Sequence, residues 1–285
     1  MSAVVVYRNV MVPMRDGTRL ATDLYFPSDN GSAPAPGPFH VLLTRTPYDK
    51  TRPMSTPGAV RAAMHGYVAA IQDVRGRYAS EGEYRLLQDD SWGQHQDGID
   101  TLAWLGRQSW SSGRVGTFGV SYGGAIQMLL APARPPYLTS CFSVQPASDE
   151  FTQRSFHDGA LALNDVERWA AGNSEDLIAR MPDEQRRRAL DELRQYQELG
   201  PNAVGLLPLR DVPLLRLIPA LWGDVLDHWE DPGFFDASDA TSRLQEVNVP
   251  ICHVGGWFDF FIRNTLNHFK GSSTPTENPF AAQAR

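Results

Sequence analysis

Residues 115–130, Val-Gly-Thr-Phe-Gly119-Val-Ser121-Tyr122-Gly123-Gly124-Ala-Ile-Gln-Met-Leu-Leu130, decide the fold. A short apolar run leads into Gly-x-Ser-x-Gly at 119–123, and an unbroken apolar stretch follows. That order predicts a buried strand turning sharply into a helix. A serine on such a turn has strained backbone angles, and side chains at the flanking positions would clash. Glycines relieve the clash and leave the hydroxyl exposed above the sheet. The helix beginning beneath it offers unpaired N–H groups to a developing oxyanion. Composition alone produces Gly-x-Ser-x-Gly about once in ten chains of this size, and the alternative is a glycine-rich turn opening a helix. The strand before and the apolar helix after favour a nucleophile elbow with Ser121 at its apex.

Outward from the elbow, Val41-Leu42-Leu43 ends in a polar loop at Thr44–Lys50, and Val68-Ala69-Ala70-Ile71 ends at Asp73. Short apolar runs with polar residues at their carboxyl ends predict buried parallel strands. Between the second run and the elbow lies Asp97–Gln108, with Ile99, Leu102, Ala103 and Leu105 at helical spacing. Strand, helix, strand points to a mostly parallel α/β sheet, where ligands bind beyond the carboxyl ends of the strands. Upstream, an Asp16-Gly17 turn precedes Leu20, Thr22, Leu24 and Phe26, which alternate with Arg19, Ala21, Asp23 and Tyr25 as in a strand facing two environments. Residues 28–38, rich in Pro and Gly, form a surface loop.

The texture changes from about Asp149 to Ser242. Pro182–Leu199 is strongly charged, with Ala189, Leu190, Leu193, Tyr196 and Leu199 at helical spacing, and a second, apolar helix is predicted over Leu214–His228. Arg186-Arg187-Arg188 reads as a solvated helix face. The sheet resumes at Val249-Pro-Ile-Cys-His-Val. The expected organisation is a sheet-bearing part over 1–148, a helical cap over 149–242, and a return to the sheet over 243–285.

Composition bounds the function. The chain has 285 residues, 42% hydrophobic and 21% charged, enough apolar matter to bury a core. Its two cysteines, Cys141 and Cys252, make no disulfide framework. A net charge of −7 argues against nucleic acid, whose phosphates call for a basic patch. No run approaches the ~18 apolar residues of a membrane span, and the first residues carry neither a basic n-region nor a long apolar h-region. A cytoplasmic protein acting on a small molecule is the expectation. No His-Glu-x-x-His or paired-cysteine spacing predicts a metal, no Gly-Lys-Ser/Thr follows the elbow, and no cofactor is expected.

A triad needs an acid and then a histidine further along the chain. Val254-Gly-Gly-Trp257-Phe-Asp259-Phe-Phe supplies the acid, Asp259, directly after a predicted strand; the alternative is a loop aspartate capping a helix over Ile262–Phe269. With Val12-Pro-Met-Arg-Asp-Gly-Thr-Arg-Leu-Ala, Arg45-Thr-Pro-Tyr48-Asp-Lys, Gln72-Asp-Val-Arg-Gly-Arg-Tyr-Ala-Ser-Glu-Gly and the elbow itself, these residues resemble the α/β-hydrolases of the cocaine esterase and X-Pro dipeptidyl-peptidase group, the CocE/NonD hydrolases. The likeness runs from about residue 8 to the last residue.

The resemblance implies an α/β-hydrolase fold with a helical cap. It makes Ser121 the acyl-forming nucleophile and Asp259 the acid. Tyr48 would donate its phenolic O–H to the oxyanion, and the backbone N–H of Tyr122 would be the second donor. Trp257, Phe260 and the cap residue His157 are candidates for touching substrate. Asp73, Arg75, Gly76, Ser80 and Gly82 fall in a family motif that shapes the loop after its strand.

The family's histidine lies beyond the acid, in a Gly-Pro-Trp-x-His type of loop after one more strand, and a β-sandwich domain usually follows. Neither is expected within these 285 residues. Of the seven histidines, His40, His65 and His95 precede the nucleophile, His157 and His228 fall in the cap, His253 lies in a predicted strand and His268 on the following helix. None is the expected base. Two other readings stay open: dipeptidyl-peptidase or amino-ester acylase activity, with Asp224, Asp227, Glu230 and Asp231 as acids for a substrate amine, and a non-catalytic truncated relative.

Overall fold

The structure, a computed structural model, describes residues 3–149 and 153–272. It divides into two compact units, Met1–Asp149 with Ala237–Arg285, and Glu150–Asp236. The larger unit runs β1 (Ala3–Pro13), β2 (Arg19–Ser28), β3 (Phe39–Thr46), α1 (Thr56–Met64), β4 (Val68–Asp73), α2 (Asp97–Gly106), β5 (Ser111–Val120), α3 (Tyr122–Leu130) and β6 (Leu138–Val144). The smaller unit holds β7 (Phe156–His157), β8 (Ala160–Leu161), α4 (Leu163–Gly172), α5 (Glu175–Ala179), α6 (Asp183–Leu199), α7 (Pro213–Leu217) and α8 (Gly223–Asp227). The chain then returns to the larger unit with β9 (Ile251–Val254) and α9 (Ile262–Ser272).

Among the described residues the main sheet has the order β1-β2-β4-β3-β5-β6-β9. The pairs β1/β2 and β2/β4 are antiparallel, and β4/β3, β3/β5, β5/β6 and β6/β9 are parallel. Parallel neighbours need long crossovers, supplied by α1, α2 and α3. This mostly parallel sheet with flanking helices is the α/β-hydrolase fold the sequence leads one to expect. Every residue of β4 is buried.

β2 departs from the expected alternation: it is buried from Leu20 to Ser28. The reason is cover on both faces. Tyr25 packs with Ala69 and Ile71 against Ala59 and Ala63 of α1, while Leu20 packs on the opposite face with Val12, Met14 and Trp104. The face that α1 covers continues across β5, β6 and β9 in register rows, Phe118–Phe142–Cys252 and Val120–Val144–Val254. There Phe118, Val120, Phe142 and Val254 are exposed, with the two phenylalanine rings 5.5 Å apart.

In the smaller unit α6 buries Ala189, Leu193 and Tyr196, while Leu190 and Leu199 stay exposed. The helix expected over Leu214–His228 is instead broken into α7, a 3₁₀ turn at Pro219–Leu221 and α8. Pro219 has no N–H to donate and cannot continue the preceding turn, so apolar spacing alone overestimates the helix there. Residues Ala237 onward fall in the larger unit, where the Ala240 N–H donates to the Ser148 carbonyl at 3.1 Å.

Candidate active site

Ser121 sits between β5 and α3 at φ 57° and ψ −118°, a backbone conformation L-residues rarely adopt. Two hydrogen bonds hold it there. Its N–H donates to the Val144 carbonyl and its carbonyl accepts from the Ala125 N–H, each at 2.9 Å. Two glycines make room. A Cβ on Gly119 would stand 2.3 Å from the Gly123 carbonyl oxygen, and one on Gly124 would stand 2.6 Å from that of Val144. Gly123, by contrast, would meet nothing nearer than the Arg45 carbonyl oxygen at 3.4 Å. The steric demand therefore falls on Gly119 and on Gly124, which lies outside the Gly-x-Ser-x-Gly pattern.

Gln127 is a support that sequence reasoning missed. Its buried amide donates to the Gly123 and Phe142 carbonyls at 3.1 and 3.0 Å. Its oxygen accepts from the Thr117 hydroxyl at 2.8 Å and from the Phe142 N–H at 3.0 Å. One side chain thus ties β5, α3 and β6 together behind Ser121. A glutamine inside an otherwise apolar helix is the signal that could have revealed it, since buried amides need partners.

Tyr48 lies two residues beyond the end of β3. Parallel register pairs Leu43 with Thr117, so Thr46 stands level with Val120 and the Tyr48 loop opens at the same sheet edge as Ser121. The Tyr48 N–H donates to Thr46 Oγ1 at 3.0 Å, and its ring meets that of Tyr122 edge-on, with centroids 6.4 Å apart. The Tyr122 ring is buried and its phenolic oxygen accepts the Leu87 N–H at 3.3 Å; burial pushes this phenol well above its ordinary pKa. The Tyr122 backbone N–H belongs to the first turn of α3, where helical amides have no intrahelical partner.

Asp259 leaves the same edge. Val254 of β9 is in register with Val144 of β6, which is in register with Val120, and Asp259 follows in the turn before α9. Its Oδ1 accepts the Phe261 N–H at 3.0 Å, an Asx turn just ahead of α9. Its Oδ2 is buried and has no hydrogen-bond partner among the described residues. That leaves one shielded carboxylate oxygen for an outside donor.

No histidine of the larger unit fills it. His40 is bonded to Ser112, His65 to the Arg61 carbonyl, His253 to Ser272 and His268 to Ser148, while His95 lies beside Asp16. Burial pushes His268 down to about 3 and His253 down to about 4. Trp257 and Phe260 flank Asp259 with 81% and 53% of their surfaces exposed. In the smaller unit His157 ends β7 with its Nε2 buried and unbonded among the described residues. Asp227 is paired with Arg210.

Beneath the loops lies a buried ion network. Arg45 pairs with Asp90 and donates to Gln72, and Arg75 bridges Asp97 and Asp16. Burial raises Asp90 to about 6 despite its arginine, and hydrogen bonding to Arg75 draws Asp16 well below the usual carboxylate range. Arg45, Arg75, Asp90 and Asp97 line a small polar recess together with Tyr84 and Tyr122. Among the described residues no group of three or more His, Cys, Asp or Glu side chains is placed to hold a metal ion, and no helix is long and apolar enough to cross a membrane.

Residues 16–283 match the profile of the X-Pro dipeptidyl-peptidase (S15 family). The chain belongs to this family. It is 36% identical over 272 residues to the cocaine esterase of Rhodococcus sp. (strain MB1 Bresler), covering 93% of this chain and 46% of the esterase. Among solved structures, a CocE/NonD family hydrolase from Staphylococcus aureus superposes with a TM-score of 0.64 at 17% identity, covering 98% of this chain and 47% of that one. An aminopeptidase from a marine sediment Thaumarchaeota archaeon superposes with a TM-score of 0.62 at 22% identity, covering 94% and 46%. The S15 chain described here thus spans about half the length of these relatives, and it shares their α/β-hydrolase fold.

Proposed function

We propose that this S15-family chain carries the nucleophile and oxyanion donors of a serine hydrolase acting on ester or amide bonds through an acyl-enzyme. The observation that carries the reading is Ser121, held in a strained elbow where neither Gly119 nor Gly124 has room for a side chain. Ser121 Oγ attacks the substrate carbonyl carbon, and its proton passes to a base. The oxyanion accepts hydrogen bonds from the Tyr48 phenol and the Tyr122 N–H. The alcohol or amine leaves, protonated by the same base, and water then cleaves the acyl-serine. Asp259 orients the base through Oδ2, which has no hydrogen-bond partner among the described residues. Trp257 and Phe260, beside Asp259, touch the substrate. Dipeptidyl-peptidase or amino-ester acylase activity would call on the acids Asp224, Asp227, Glu230 and Asp231, of which Asp227 is paired with Arg210 at the surface.

The unfilled Oδ2 also favours a second reading, a relative that binds its ligand without turning it over. An activated ester separates the two. With p-nitrophenyl esters the leaving group needs no acid, so acylation needs only an acceptor for the Ser121 proton, which hydroxide or added imidazole supplies, and the acyl-serine accumulates where its hydrolysis is slower still. The expected result is a burst of up to about one equivalent of nitrophenol per chain followed by slow release, absent in Ser121→Ala. Release equal in both proteins would leave the non-catalytic reading standing.

A further inference from the structure

The loop that carries Tyr48 is fastened by an ion pair that plays no part in the reaction just described. Lys50, two residues beyond Tyr48, is 2% exposed, and Asp73, the last residue of β4, is fully buried. The Lys50 N–H donates to Asp73 Oδ1 at 2.7 Å and the Lys50 ammonium donates to Asp73 Oδ2 at 2.9 Å. The carboxylate also accepts the Ala79 N–H at 3.4 Å, and the Asp73 carbonyl accepts the Ser80 hydroxyl at 2.7 Å. Burial raises the Asp73 pKa, and the Lys50 bonds oppose that rise.

The anchoring is specific to the Tyr48 segment. Thr46 and Asp73 are register partners at the ends of β3 and β4, and the Val74 N–H donates to the Thr46 carbonyl at 3.0 Å. Between Thr46 and Lys50 the chain turns through Asp49 at φ 74°, an uncommon conformation for a residue other than glycine. The Asp49 carboxylate caps the turn by accepting the Thr51 N–H and hydroxyl at 2.8 and 2.7 Å. Tyr48 is thereby pinned on both sides, by Thr46 before it and Lys50 after it, with the Tyr122 ring on one flank and the Arg52 guanidinium 5.5 Å from its ring centroid. A buried pair of charges is a poor way to gain stability, because desolvation offsets most of the attraction. It does fix one geometry: displacing either partner leaves an uncompensated buried charge.

We infer that Lys50 and Asp73 form a positioning pair that sets the Tyr48 phenol where the oxyanion develops. The inference rests on the reading of Tyr48 as an oxyanion donor. Lys50 touches no reacting atom and acts only through Tyr48. The consequence is a coupling: once the Tyr48 hydroxyl is gone, losing Lys50 has nothing left to misplace.

The test is a double-mutant cycle on the rate at which a fluorophosphonate labels Ser121 in the 285-residue chain. Lys50→Met is expected to slow labelling on the order of 10²-fold, the effect of a small misplacement of a catalytic group. Tyr48→Phe slows it on the order of 10²-fold by removing one oxyanion donor, and the double variant is expected to be no slower than Tyr48→Phe. An unchanged rate in Lys50→Met, or losses that multiply in the double variant, overturns the inference. If Lys50→Met fails to fold, Lys50→Met with Asp73→Leu takes its place in the cycle, since a buried pair replaced by apolar groups keeps its packing. Should the unmodified chain not label at all, the hydrolase reading falls and amide hydrogen exchange decides the anchoring separately. Faster exchange confined to residues 46–52 in Lys50→Met upholds the anchoring, and unchanged exchange there removes it.

Discussion

Ser121 keeps its strained angles only because its surroundings leave no alternative, and the glycines share that work unequally. A methyl group on Gly119 or Gly124 collides with a backbone carbonyl oxygen, which cannot swing aside as a side-chain end can. Gly119→Ala and Gly124→Ala are each expected to destabilise the protein by about 2 kcal/mol or more, read as a fall in the urea midpoint. Gly123→Ala, inside α3 with ordinary contacts, is expected to be neutral or to stabilise by about 0.5–1 kcal/mol. Equal losses at all three positions would contradict this steric account. The strained serine and its flanking strand were legible in the sequence because Gly-x-Ser-x-Gly between an apolar run and an apolar helix asks for a sharp strand–helix turn. Gln127 and the partition among the glycines were not legible, since both depend on which backbone atoms of β6 approach α3.

At the scale of elements, α9 is secured from below by His268, which is almost fully buried and bonded to Ser148 Oγ at 2.9 Å. His253 faces the same helix and is bonded to Ser272 Oγ at 3.2 Å. Both imidazoles are held neutral, with folded-state pKa values of about 3 and about 4 against an ordinary 6.5. A lowered folded pKa means that the unfolded chain binds the proton first. Stability is therefore complete above pH ~6.5 and falls as the solution is acidified through that value towards the folded pKa, by up to about 1.4 kcal/mol per pH unit for each histidine. Urea midpoints at pH 7.5 and 5.0 should differ in the native chain, and the difference should shrink in His268→Phe. A difference that His268→Phe leaves intact would assign the acid sensitivity to other groups. A short apolar run anticipated β5, and helical spacing anticipated α2 and α6, although Leu190 and Leu199 of α6 stay exposed. Alternation failed for β2, which is covered on both faces, and spacing failed over 214–228, where Pro219 interrupts an apolar run that spacing alone reads as continuous.

At the scale of the whole chain, the larger unit presents Phe118, Val120, Phe142 and Val254 on one face of the sheet, beside β9 at the sheet's edge. Contiguous exposed apolar surface of this kind binds hydrophobic probes and other chains. The 285-residue chain should enhance the fluorescence of an apolar dye, and Phe118→Lys with Phe142→Lys should lower that signal without lowering the thermal midpoint; an unchanged signal would place the dye elsewhere. The order of strands around the elbow and the position of Asp259 after β9 could be anticipated from the run of motifs. The identity of the group facing Asp259 Oδ2 could not, because the histidines present are spent on Ser112, the Arg61 carbonyl, Ser272 and Ser148 or lie elsewhere. The account stands most directly on Ser121 as a nucleophile, and peptide mapping after exposure of the folded chain to a fluorophosphonate tests it. The predicted result is a phosphonyl adduct on the peptide containing Ser121 that is absent from Ser121→Ala. A folded chain that carries no adduct, or carries it on another residue, would contradict it.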